Sequence, residues 1–235
     1  MLACKALAAL LTYPDAELMG ALPEITRLLR DAGLPPGEAE AVAVFCDRLA
    51  GTDLMDAQSE YVSLFDRSPS LSLYLFEHVH GDSRERGQAM LDLAEDYRRA
   101  GLDMRGGELP DFLPVFLEYV SLCPADQGRD LLGEIADVVA LLAARLRKRG
   151  SGYATVMRAI EALSARSADR EAVAARVRED APDDTPAALD ARWEEAPVSF
   201  MEPASAGQEC PKAASLVTQF WAGRDDRPGA GEGSR

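Results

Sequence analysis

Leu131-Leu132-Gly133-Glu134-Ile135-Ala136-Asp137-Val138-Val139-Ala140-Leu141-Leu142-Ala143-Ala144-Arg145-Leu146 is the stretch that decides the fold class. Leu131, Leu132, Ile135, Val138, Val139, Leu142 and Leu146 recur at the i, i+3/i+4, i+7 spacing of one helix face, while Glu134, Asp137 and Arg145 take the other side. The spacing predicts one long amphipathic helix that ends near Gly150. The same period extends outward from the N-terminus to about Asp180. Met90, Leu93, Ala94 and Tyr97 form a second stripe, opened by Asp82 with Glu85 three residues later as a capping box and closed by Gly101. Further helices are expected over Cys4 to Thr12, Asp15 to Asp31, Glu38 to Leu49, and Asp53 to Phe65 after a Thr52 cap. Others are expected over Asp111 to Leu122, Tyr153 to Ala165 and Asp169 to Glu179, with Pro23 and Pro114 each marking a kink or a later start. No long β-branched alternation occurs and Asn is absent, so Asn-Gly hairpins cannot form. The expected fold is all-α, a single helical bundle domain of about eight helices over residues 1–180.

Charge and composition bound the function. The 235 residues carry 40 Asp and Glu against 25 Lys and Arg, a formal net charge of −15. A net anion repels polyanions unless it has a concentrated basic face, and the densest basic run is only Arg145, Arg147, Lys148 and Arg149 at a helix end. Nucleic acid and anionic membrane surfaces are therefore excluded as expected partners. An apolar content of 47 % supports a real core, yet no window approaches the ~18 to 20 apolar residues that span a bilayer. Met1 to Leu11 lacks the basic start and cleavage site of a leader, so a cytoplasmic protein without direct membrane insertion is expected. Cys4, Cys46, Cys123 and Cys210 are too far apart for a C-x-x-C site, and at least the first three read as buried reduced thiols. Between Glu179 and Glu209, nine acids against one base give a net of −8, with Pro182, Pro186, Pro197 and Pro203 interleaved. Residues 181–235 thus read as an acidic, Pro-containing, largely disordered tail.

Both histidines lie in one segment, Tyr61 to Met90, which includes Phe76-Glu77-His78-Val79-His80-Gly81-Asp82-Ser83-Arg84. Three readings compete. His78 and His80 could form an H-x-H metal pair with Glu77, Asp82 and Asp66 as further ligands, the centre of a metal-dependent hydrolase, although no third His or suitable Cys completes the set. The segment could be structural, with Leu71, Leu73, Leu75, Phe76 and Val79 in the core and Glu77, His78, Asp82, Arg84 and Arg86 paired at a helix junction. It could also line a groove for a peptide, with Leu64, Phe65, Leu75, Phe76 and Tyr119 as an apolar floor and acids at the rim that suit a basic segment. Histidine there would make affinity sensitive to pH near neutrality.

Tyr61-x-x-Leu-Phe65-Asp66-Arg67, followed by Ser72-Leu73-x-Leu75-Phe76-Glu77-His78-Val79-His80-Gly81-Asp82-Ser83-Arg84-x-Arg86-Gly87-Gln88-Ala89-Met90, closely resembles the core motif of NarJ-type chaperones. These are the molybdenum cofactor assembly chaperones of respiratory nitrate reductase, within the wider TorD/DmsD group of redox enzyme maturation proteins. Glu108-Leu109-Pro110-Asp111-x-Leu113-Pro114-x-Phe116-Leu117-Glu118-Tyr119 and the early Leu10-Leu11-x-Tyr13-Pro14 match as well, so the likeness covers roughly residues 1 to 165.

The resemblance implies a helical, non-catalytic protein with no cofactor or metal of its own. Its implied partner is the apo catalytic α subunit of nitrate reductase, held through its N-terminal segment until cofactor insertion is complete and the enzyme docks on the membrane. On this reading the peptide-binding groove is expected around Tyr61, Leu64, Phe65, Asp66, Leu75, Phe76, Glu77, His78, His80, Arg84 and Tyr119. Arg84 and Arg86 could instead anchor Glu77 or Asp66 internally. A chaperone for a dimethyl sulfoxide or trimethylamine N-oxide reductase is the nearest alternative, and the F-E-H-V-H-G-D-S-R run favours the nitrate reductase branch. A homodimer is compatible with the sequence.

Overall fold

Three helix starts in this chain are each set by a single aspartate side chain. In the computed structural model, which describes residues 1–79, 85–104 and 107–180 with the isolated positions 185 and 190, eleven α-helices form and no strands, only an isolated bridge between Tyr74 and Phe112. They are α1 Leu2–Leu10, α2 Ala16–Asp31, α3 Pro36–Ala50, α4 Leu54–Tyr61, α5 Leu75–Val79, α6 Glu85–Arg99, α7 Leu113–Leu122, α8 Ala125–Glu134, α9 Ala136–Lys148, α10 Tyr153–Ala162 and α11 Arg170–Glu179. Asp15 caps α2 by accepting from the Leu18 N–H at 2.7 Å, and Asp169 caps α11 by accepting from Glu171 and Ala172. The cap of α4 is Asp53 rather than Thr52. Asp53 accepts from the Met55 N–H at 2.9 Å, whereas the Thr52 hydroxyl donates back to the Arg48 carbonyl at the end of α3. Pro114 sits in the first turn of α7 and makes it start at Leu113, while α2 continues through Pro23. The expected capping Asp82 and the expected acidic tail, apart from positions 185 and 190, lie outside the described residues.

The expected single helix over 131–146 is two helices, which accounts for part of the higher count. Ile135 leaves helical geometry at φ −98° and ψ 4°, separating α8 from α9. The chain after α10 binds two carbonyls of α8: Arg166 Nε donates to Gly133 O, in the last turn, at 3.0 Å, and the Ala165 N–H donates to Arg129 O, one turn earlier, at 3.0 Å. The hydrophobic period runs through the break unaltered because Leu131, Leu132, Ile135, Val138 and Val139 all remain buried.

A second departure follows α4, where Val62–Asp66 forms a π-turn closed by the Arg67 N–H donating to Val62 O at 3.0 Å. In an α-helix a residue five positions on points roughly 140° away. The wider turn keeps Phe65 on the same side as Tyr61 and brings Asp66 there too, and π-turns of this kind recur at functional sites.

The core is built on α1, whose Cys4, Leu7 and Leu10 have no exposed surface and which packs on α2, α7 and α10. Helices α3 and α9 close over α10, and α11 lies along α9. Close approach matters at Gly152, where an added Cβ would lie 2.6 Å from the Phe45 ring. Cys4 and Cys46 are free buried thiols, as expected, and burial pushes the Cys4 thiol up to about 11. Cys123 is free but only half-buried, because it follows the end of α7, with its Sγ 3.5 Å from Tyr119 O.

Four aromatic rings form a contiguous cluster. Tyr61 lies 4.9 Å from Phe65, Phe65 5.1 Å from Tyr153 and Tyr153 4.8 Å from Phe45 between ring centroids. The Tyr61 hydroxyl donates to Leu11 O at 2.9 Å, but the buried Tyr153 hydroxyl has no hydrogen-bond partner. Tyr61→Phe is therefore expected to cost about 1 to 2 kcal/mol, because it strands a buried carbonyl, whereas Tyr153→Phe is expected to be neutral or stabilising. Urea denaturation of the two variants checks the contrast.

Candidate functional site

The residue that organises the site is Asp111, fully buried just before α7. Its Oδ2 accepts from the Phe76 N–H at 3.0 Å and its carbonyl accepts from the Leu75 N–H at 2.9 Å, so one residue satisfies two donors in the first turn of α5. The Leu113 N–H donates to Leu73 O at 2.8 Å, completing a short staple between the 71–76 and 108–113 segments. The Tyr74 hydroxyl donates to Glu108 Oε2 at 2.8 Å, and the Tyr74 and Phe112 rings lie 5.3 Å apart. Behind the staple, Tyr97 of α6 donates its hydroxyl to Pro110 O at 2.7 Å. Arg86 approaches Glu77 at 3.7 Å and Asp111 at 4.0 Å. Burial raises the Asp111 carboxyl above its ordinary range, opposed by the Phe76 N–H and by Arg86.

The stapled segments form one wall of a cleft of about 530 Å3. The opposite wall is aromatic: Tyr13 meets Tyr61 edge to face at 5.7 Å, and Phe65 stands beside Tyr61. The 11–14 segment is held there by Tyr61 through Leu11 O and by Gln58, whose Nε2 donates to Pro14 O at 2.8 Å. Leu73, Tyr74, Phe112, Pro114 and Val115 complete the apolar lining. Among the described residues, every charged lining residue is acidic, namely Asp66, Glu108 and Glu118. Burial and the Glu108 carboxylate push the Tyr74 hydroxyl up to about 12, so it remains a donor throughout the neutral range. The arrangement offers burial for aromatic or aliphatic side chains and attraction for cationic ones.

Of the residues expected to form the groove, the structure brings Tyr61, Phe65 and Asp66 together in this cleft. Leu64, Leu75, Phe76 and Tyr119 are buried away from it, with the Tyr119 ring tilted against that of Tyr97 at 4.9 Å. Glu77 faces Arg86. His78 is half-buried in the last turn of α5, its Nε2 donating to Ser72 O at 2.8 Å. His80 and Arg84 lie outside the described residues. Sequence reasoning missed Thr12, Tyr13, Leu73, Tyr74, Glu108, Phe112, Pro114, Val115 and Glu118 as lining residues. The signal for most of them was present, because Tyr13, Leu73, Glu108, Pro114 and Glu118 belong to the three sequence blocks quoted above. Among the described residues, no group of three or more His, Cys, Asp or Glu is arranged to hold a metal ion, and no helix is long and apolar enough to cross a membrane.

The convergence of those blocks on one cleft is matched by likeness across the chain. Residues 31–159 match the model of the nitrate reductase delta subunit family. The chain belongs to that family. It is 44 % identical to the nitrate reductase molybdenum cofactor assembly chaperone NarJ of Escherichia coli K12 over 81 % of each chain. It is 39 % identical to the probable chaperone of the same kind, NarW, from that organism, over 84 % of this chain and 83 % of the relative. A probable NarJ from Bacillus subtilis 168 is 30 % identical over 74 % of this chain and 94 % of its own. The NarJ-type resemblance read from the motifs therefore extends over most of the chain.

Two measurements probe this site. Asp111→Ala is expected to lower stability by about 1 to 3 kcal/mol, because it strands the Phe76 N–H and leaves Arg86 facing a void, and chemical denaturation reads it directly. For His78, burial lowers the pKa, and Arg145 and Arg176 add to that against the Ser72 carbonyl and Glu77. The unfolded chain then binds more protons below about pH 6.5, so this contribution to stability is complete above that pH and is lost as pH falls toward the lower folded pKa. His78→Gln is expected to flatten the decline in urea midpoint between about pH 7 and about pH 5.5 relative to the parent protein.

Proposed function

We propose that this protein is a cytoplasmic, non-catalytic chaperone that binds the apo catalytic α subunit of a respiratory nitrate reductase through its N-terminal segment. In this role it assists molybdenum cofactor insertion and complex assembly before membrane docking. The observation that carries the reading is the convergence of three sequence blocks, drawn from residues 10–14, 61–76 and 108–119, on one aromatic cleft with an acidic rim. Relatives named as assembly chaperones over four-fifths of the chain support the same reading.

Such a cleft recognises a short segment by shape and charge. Apolar side chains of the client segment enter between Tyr61, Phe65, Leu73 and Phe112, at about 25 cal/mol per Å2 of surface removed from water. Asp66, Glu108 and Glu118 set orientation by facing basic residues on either side of that anchor. Residues 1–180 form the chaperone body, and residues 181–235 are an appended acidic tail.

Recovery of the client is the decisive experiment. The tagged full-length protein, captured from cells that express both nitrate reductase and a dimethyl sulfoxide reductase, is expected to retain the apo nitrate reductase α subunit. Recovery of the other reductase in its place reassigns the client. Calorimetry with a peptide from the α-subunit N-terminus is expected to show at least about tenfold weaker binding for Asp66→Lys with Glu118→Lys, about 1.4 kcal/mol, at unchanged helical circular dichroism. Equal affinity removes the acidic rim from the site.

A further inference from the structure

A second concavity lies on another part of the body, a trough of about 940 Å3 between α9, α10 and α11 that contains none of the cleft residues. Its floor is shallow and apolar, with Ala140, Ala143, Ala162, Val173 and Val177. Its rim carries Arg147, Lys148, Arg158, Arg166, Arg170 and Arg178, six cations against two lining acids, Glu38 and Glu161. Three of these cations are neutralised: Arg158 pairs with Glu38 at 2.9 Å, Arg170 with Glu161 at 2.6 Å and Arg166 with Asp137 at 2.8 Å. Arg147, Lys148 and Arg178 pair with no carboxylate among the described residues, and Lys148 reaches only the Val177 carbonyl at 3.4 Å. Favourable placement at the C-terminal ends of α9 and α11 accounts for each cation singly. It does not account for both helix ends opening onto one apolar trough in a protein of net charge −15.

We propose that the trough is the docking site for the chain's own acidic segment, residues 181–194. That segment follows in sequence directly on the trough's own wall. Helix α11 supplies Val173, Val177 and Arg178 to the trough and ends at Glu179, and Asp180 is clamped by Arg145 through bonds of 2.8 and 2.6 Å. Asp183, Asp184, Asp190 and Glu194 less Arg192 give the segment a net charge of −3, equal and opposite to the three uncompensated cations. Tethering to α11 makes the association intramolecular, with an effective concentration in the millimolar range for short linkers, so even weak ion pairs at the rim suffice to populate it.

Lysine labelling tests the proposal in the full-length protein, because the chain has only Lys5, Lys148 and Lys212 and the exposed Lys5 serves as an internal reference. The Lys148 acetylation rate, read by mass spectrometry after a pulse of amine-reactive reagent, is expected to rise at least about threefold in Asp183→Asn/Asp184→Asn/Asp190→Asn/Glu194→Gln, with Lys5 unchanged. The same release is expected for the parent protein in about 1 M salt, where the screening length falls to roughly 3 Å. Protection independent of protein concentration supports the intramolecular assignment. Equal Lys148 rates in the two proteins overturn the proposal, as does protection that grows with protein concentration, which places another copy or another acidic partner in the trough.

Discussion

The buried carboxylate of Asp111 is the constraint on which the site depends. A two-segment wall with no sheet to support it needs its backbone donors satisfied from within, and Asp111 provides this at the first turn of α5 with both its side chain and its carbonyl. The cost is a charge taken out of water with one oxygen left without a partner. Arg86, arriving from α6, compensates part of that cost and ties Glu77 into the same arrangement. The position of Tyr74 and Phe112, and hence one side of the cleft, follows from this group of contacts.

The fold class was legible because a 3.6-residue period needs no knowledge of neighbours. Its failures are equally physical. The break at Ile135 is imposed by Arg166, 33 residues beyond the carbonyl it captures, and the apolar stripe stays in phase across it. The π-turn at Val62–Asp66 adds no residue type that a pattern can detect, yet it decides that Asp66 shares a side with Tyr61. Within the cleft, Asp66 and the aromatics Tyr61 and Phe65 were readable, whereas Leu75, Phe76 and Tyr119 were assigned to the groove because apolar residues beside charged ones look the same whether they floor a cleft or fill a core. The partners Tyr13, Glu108 and Phe112 needed the tertiary staple to bring them in.

Charge is distributed on this molecule in a way its total conceals. Among the described residues the charged lining of the cleft is acidic, while the trough on α9 to α11 collects cations. Two surfaces of opposite sign on one small body give it local fields that its net charge does not reveal.

The cleft walls come from chain positions near residues 13, 61 to 74 and 108 to 118. A chain emerging from the ribosome presents Tyr13 and Tyr61 well before Phe112 and Glu118 exist, and no local element contains the site in miniature. Closing those long loops is an entropic step that only the completed body repays. The cleft is thus a late product of synthesis: a truncated or half-folded copy lacks one of its walls.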